Sequence, residues 1–109
     1  MVRHHLGEFE QKVLVTVARL RENAYGVPIR KKLSELTGKD VSVGAVYTTL
    51  DRLEDKGLVI SHLGDPTPER GGRAKRFFKI TAPGVRALEE TRDIRQRVWS
   101  GFRPSGVTS

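Results

Sequence analysis

Apolar residues recur every three or four positions between Leu6 and about Arg21, where Phe9, Val13, Leu14, Val17 and Leu20 are interleaved with Glu8, Gln11, Lys12 and Arg19. That spacing is the stripe of an amphipathic helix. Glu22-Asn23-Ala24-Tyr25-Gly26 interrupts it, and Pro28 then stands where a first helical turn tolerates a missing N–H. A second helix is predicted from about Val27 to Leu36, with Ile29, Leu33 and Leu36 inward, Arg30, Lys31 and Lys32 outward, and Gly38 as a left-handed C-terminal cap. Ser42 suits the N-cap of a third helix whose inward positions Val43, Val46, Leu50 and Leu53 are spaced three, four and three. Gly57 ends that helix, and Gly44 in its first turn is expected to admit a closely packed neighbour.

Beyond Gly57 the period changes to two. Residues 58–62 and 75–80 read as strands, and the segment from Gly64 to Arg73 between them, punctuated by proline and glycine, reads as the long basic tip of a hairpin. Thr81 caps a last helix with Pro83 in its first turn and Val85, Leu88, Ile94, Val98 and Trp99 along it. The order helix, helix, helix, strand, basic loop, strand, helix is the plan of a winged helix-turn-helix. The expected fold class is therefore mainly α with a two-stranded β-wing. Residues 1–80 are expected to form the DNA-binding unit, 81–100 a dimerisation helix of the same domain, and 101–109 a disordered tail.

Length and composition narrow the picture. A chain of 109 residues has room for one small core. It contains no cysteine, which rules out disulfides and Cys-based zinc sites. No apolar run approaches a membrane span or an export signal, so a cytoplasmic location is expected. The formal charge of +7 favours a polyanionic partner. Much of the excess sits in one stretch, where Arg70, Arg73, Lys75, Arg76 and Lys79 occur without an intervening acid. His4 and His5 lack a third ligand, and no metal site, cofactor or catalytic constellation is expected.

Three stretches carry a family resemblance: Ala24-Tyr25-Gly26, the run Gly44-Ala45-Val46-Tyr47 through Leu50-Asp51-Arg52-Leu53-Glu54-Asp55-Lys56-Gly57-Leu58, and Gly72-Arg73-Ala74-Lys75-Arg76-Phe77-Phe78-Lys79-Ile80-Thr81-Ala82-Pro83-Gly84. Together they resemble the PadR family of bacterial transcription regulators, from Leu6 to about Trp99. Thr48 stands where that family often has proline, and the chain is similar to the short-tailed members. The resemblance implies a dimeric repressor whose last helix makes the dimer.

A recognition helix keeps one face in the core and offers the other to base edges in the major groove. With Val43, Val46, Leu50 and Leu53 inward, the outward set is Ser42, Ala45, Thr48, Thr49 and Arg52, and Tyr47 at the border can place its hydroxyl on a phosphate. Arg70, Arg73, Lys75 and Arg76 suit contacts to phosphates or the minor groove of double-stranded DNA. Val85, Leu88, Ile94, Val98 and Trp99 form a stripe that a homodimer would cover. Between two such helices, Ile94 and Trp99 are candidates to line a pocket for a small aromatic effector. The function expected is sequence-specific repression from a palindromic operator. The alternatives are a winged-helix protein-interaction module and a non-specific nucleic-acid binder.

Overall fold

The computed structural model of the protein describes residues 5–64 and 74–104. The helices are α1 (Glu8–Leu20), α2 (Gly26–Thr37), α3 (Val43–Asp55) and α4 (Ala82–Ser100), with a single 3-10 turn, Arg21–Asn23, between the first two. The strands β1 (Val59–Leu63) and β2 (Arg76–Ile80) pair antiparallel, with Val59 opposite Ile80 and Leu63 opposite Arg76. Four helices and one hairpin in this order are the winged-helix architecture expected from the sequence. No helix among the described residues is long and apolar enough to cross a membrane.

Helix ends follow their local chemistry. The Ser42 hydroxyl accepts from the Ala45 N–H at 3.1 Å, and that of Thr81 from the Gly84 N–H at 3.1 Å, so each satisfies an N–H that its helix leaves unpaired. Gly38 closes α2 at φ +69° with its N–H on the Ser34 carbonyl. Gly57, at φ +75°, turns the chain from α3 into β1 while the Leu58 N–H reaches back to the Leu53 carbonyl. A side chain at either position would meet the left-handed penalty that glycine escapes.

The core lies where α1 crosses α2, α3 and β2. Val13, Leu14 and Val17 of α1 meet Ile29 and Leu33 of α2, Val46, Leu50 and Leu53 of α3, and Leu58, Val59 and Phe78 of the hairpin. Ala24 belongs to the same cluster, and its carbonyl accepts the Phe78 N–H at 2.8 Å. With the isolated bridge between Tyr25 and Phe77, the segment before α2 acts as a rudimentary third strand beside β2.

Four expectations about α2 and α3 need correction. Leu36 is 53% exposed and Val43 is 44% exposed, because the last turn of α2 and the first turn of α3 project past the rim of the core. Thr49 is buried, at 4%, because it shares the stripe formed by Val46, Leu50 and Leu53. The fourth concerns Gly44, where a Cβ would meet nothing within 4 Å. The close approach is at Gly26, whose missing Cβ leaves the space occupied by the Tyr47 ring and hydroxyl. This is what lets α3 cross the start of α2.

Gly84 has a parallel role at the start of α4. A Cβ there would collide with the Leu58 carbonyl oxygen and lie 2.7 Å from Ile80 Cγ1. The Thr81 N–H donates to the same Leu58 oxygen at 3.0 Å, and its hydroxyl donates to the Gly57 carbonyl at 2.7 Å. The root of α4 is thus fastened to the turn that joins α3 to the hairpin.

A second long-range tie starts one residue earlier in the same turn, at Lys56. Lys56 Nζ donates to both carboxylate oxygens of Glu10, at 3.0 and 2.9 Å, and to the His5 carbonyl at 2.9 Å. Burial on its own would raise the Glu10 carboxyl. The hydrogen bond from the Gly7 N–H, the hydrogen bond and charge of Lys56, and the charge of Arg52 outweigh it and hold the group below the usual glutamate value.

Candidate nucleic-acid interface

α3 is half core and half surface. Val46, Thr49, Leu50 and Leu53 fix its inner face, which leaves Ser42, Ala45, Thr48 and Arg52 exposed on the outer one. Those four are short or long polar groups and a methyl, the kinds of side chain that match donors, acceptors and thymine methyls in a major groove. Thr49, expected among them, faces the core instead. Tyr47 is half-buried, with its hydroxyl held against Gly26 at the N-terminal end of α2.

The hairpin places its residues by parity. Phe78 is buried, so Arg76 and Ile80 share the inner face of β2, and Lys75, Phe77 and Lys79 point the other way. On that outer face the rings of Tyr25 and Phe77 lie 5.2 Å apart and those of His62 and Phe77 5.6 Å apart, the latter pair nearly parallel at 17°. Lys75 Nζ sits 4.7 Å above the centre of the Tyr25 ring. Lys75 is therefore an exposed cation carried on an aromatic platform.

Arg76 behaves differently from the expectation that no acid neutralises the basic stretch. Its guanidinium is 3.1 Å from Asp51 and 2.6 Å from Glu54, both on α3, and it lies 4.8 Å from the centre of the Phe78 ring. Only folding brings these acids to it, since they precede it in sequence by 25 and 22 residues. Arg70 and Arg73 lie outside the described residues. On α2, Arg30 pairs with Asp40 at 3.6 Å and Lys32 with Glu35 at 3.8 Å.

Sequence reasoning missed Tyr25, His62, Asp51, Glu54 and Ser61 as members of this surface. The strand period shows only that Arg76 shares the face of Phe78; which acids it meets there is set by the packing of the hairpin on α3.

α4 carries the other candidate surface. Val85, Ile94, Val98 and Trp99 are exposed, with Val98 at 70% and Trp99 at 63%, whereas Leu88 is partly buried against the chain's own core. Trp99 meets Phe102 edge to face at 5.8 Å. Between α4 and the start of α1 runs a groove of about 810 Å³, lined among others by Leu6, Gln11, Ala87, Ile94, Val98 and Trp99. Arg95 spans it, donating to Gln11 at 2.6 Å.

The model for the PadR-like family of transcriptional regulators matches residues 13–90, most of the chain. Among solved structures, a PadR-like transcriptional regulator from Bacillus cereus is 25% identical, with 84% of each chain covered and a TM-score of 0.69. A PadR family regulator from Eggerthella lenta is 26% identical over 86% of this chain and 81% of that one, with a TM-score of 0.66. RosR from H. salinarum is 25% identical over 92% of this chain and 83% of that one, with a TM-score of 0.68. No protein of curated function matches. The family match, the winged architecture and the half-exposed third helix agree, and the chain belongs to the PadR-like family of DNA-binding transcriptional regulators.

Proposed function

We propose that this protein is a cytoplasmic repressor that binds a palindromic operator as a homodimer, each subunit laying α3 in the major groove. The observation that carries the proposal is the division of α3. Its inner face is locked in the core while Ser42, Ala45, Thr48 and Arg52 are left for base edges. Tyr47 presents its hydroxyl at the N-terminus of α2, where partial positive charge favours a phosphate. Lys75, joined by Arg70 and Arg73 from the basic stretch, supplies contacts that set register and affinity.

Residues 1–80 serve as the reading head and 81–100 as the dimerisation helix. The exposed Val85, Ile94, Val98 and Trp99 are the surface a second copy would cover, and two α4 helices side by side set two reading heads about one turn of duplex apart, roughly 34–36 Å. The groove beside Ile94 and Trp99 has the size and aromatic lining to hold a small planar effector that relieves repression.

The deciding experiment compares three targets at one salt concentration: duplex from the promoter beside the protein's own gene, random duplex, and RNA. Repressor function predicts preference for a palindrome in the promoter duplex. Equal binding to all three indicates a non-specific nucleic-acid binder, and no binding to any indicates a protein-interaction module.

A further inference from the structure

The side chain of Glu54 is shared between two strands. One oxygen accepts from Arg76 of β2 at 2.6 Å, and the other accepts from both the N–H and the hydroxyl of Ser61 of β1, at 3.2 and 2.7 Å. Asp51, one turn earlier on α3, takes a second arm of the Arg76 guanidinium at 3.1 Å. The helix that faces DNA is thus pinned to both strands of the hairpin by four hydrogen bonds. The place of the pin matters. Arg76 pairs with Leu63 in the last rung of the ladder, so the contact fixes the hairpin at its far end, well beyond the turn at Gly57.

We propose that Glu54, Ser61 and Arg76 are positioning residues for DNA binding: they hold the wing at the angle to α3 that lets both touch one duplex. This rests on the DNA-binding reading of α3 and assigns Arg76 a role different from phosphate contact. Its consequence runs against simple electrostatics. Glu54 is an anion on the recognition helix, and neutralising it should strengthen attraction to a polyanion if charge alone decided. As a positioning residue, its loss weakens binding instead.

The guanidinium is also required in form. Two carboxylates on successive turns are met by the two arms of a planar fork, which an ammonium group does not reproduce. A single-point phosphate contact, by contrast, is served by either cation.

The test uses the full chain on the promoter duplex and on random duplex, with affinity measured across a salt series. Glu54→Gln is expected to bind about five- to tenfold more weakly despite its extra positive charge, and with a shallower salt slope as wing contacts are lost. Arg76→Lys is expected to lose a similar factor, and the double variant no more than either alone. Equal or tighter binding by Glu54→Gln, or an unchanged Arg76→Lys, overturns the proposal. Failure of wild-type protein to bind any duplex sinks the DNA-binding reading instead. A measurement without DNA keeps the two apart. The chain lacks cysteine, so nitroxides at Thr48→Cys and Leu63→Cys report the angle between α3 and the wing directly. One narrow distance distribution is expected, broadened by Glu54→Gln, and an unbroadened distribution counts against the clamp even if affinity falls.

Discussion

α3 and α4 begin alike and end in opposite conditions. Each starts with a hydroxyl cap, and each carries an apolar stripe at helical spacing, yet α3 buries Val46, Thr49, Leu50 and Leu53 while α4 buries only Gly84 over its 19 residues. Apart from Val43 in its first turn, what α3 leaves outside is polar or small; what α4 leaves outside includes Trp99 and Val98. A monomer has no reason to hold a contiguous apolar stripe in water, where each such side chain forgoes the gain of burial. The contrast separates a helix whose apolar face is covered by its own chain from one whose apolar face is left exposed, the face that the proposed dimer would cover.

The comparison breaks most severely if core truncations prove harmless. Leu50→Ala removes a fully buried side chain from the junction of the helices and is expected to cost about 2–5 kcal/mol in chemical denaturation. A cost below about 1 kcal/mol would show that the centre of the molecule lies elsewhere.

At the joint between the two regions, Gly84→Ala drives a methyl into the Leu58 carbonyl, a backbone atom that cannot rotate away. The expected loss is about 1–3 kcal/mol. Unchanged melting would mean that α4 can shift on its seat.

The tie between α1 and α3 adds a pH dependence. Because the folded-state Glu10 carboxyl is held below its ordinary value, its contribution is complete at neutral pH and drains away as pH falls from the usual glutamate value through the lowered one. Lys56→Met leaves that carboxylate largely buried without its charged donor and is expected to cost about 1–3 kcal/mol near neutrality. The variant should also lose less stability on acidification than the parent. Parallel acid limbs for the two proteins would remove Lys56 from the explanation.

Smallest of all, for a dilute single subunit, is the effect of Val98→Ala, expected within about 0.5 kcal/mol because the side chain touches little of its own fold. The same substitution, and more so Trp99→Ala, is expected to shift the midpoint of dimer dissociation in sedimentation towards higher concentration. A parent protein that stays monomeric at micromolar concentration would refute the assignment of α4 as an interface.

These contrasts were unevenly legible in the sequence. The stripes Val13, Leu14, Val17 and Val46, Leu50, Leu53 declare themselves because hydrophobic period is a local property. Thr49 was misplaced because its hydroxyl suggests surface, although its phase at three residues past Val46 puts it inside. Val43 and Leu36 failed in the opposite sense: their phase is right, but a stripe does not reveal where the core it faces comes to an end. Glycine shows the same asymmetry. Gly44 and Gly26 look equally suspicious as letters, and only the third helix's path shows which has Tyr47 against it. The pairing of Arg76 with Asp51 and Glu54 depends on two elements meeting, so a count of charges along the chain finds an unopposed basic run where the fold supplies the acids.

The fastening of α4 at Thr81 and Gly84 turns that helix into a lever with a rigid fulcrum. Its 19 residues extend roughly 28 Å at 1.5 Å per residue. Whatever seats itself along the outer length, a tilt of about 5° there corresponds to roughly 2–3 Å over the lever's span. The fulcrum shares the Leu58 carbonyl with the turn leading out of α3, so a tilt of α4 bears on that turn directly. In the two-fold pair proposed above, the displacements of the two heads would add, giving a change in reach comparable to the rise of one to two base pairs.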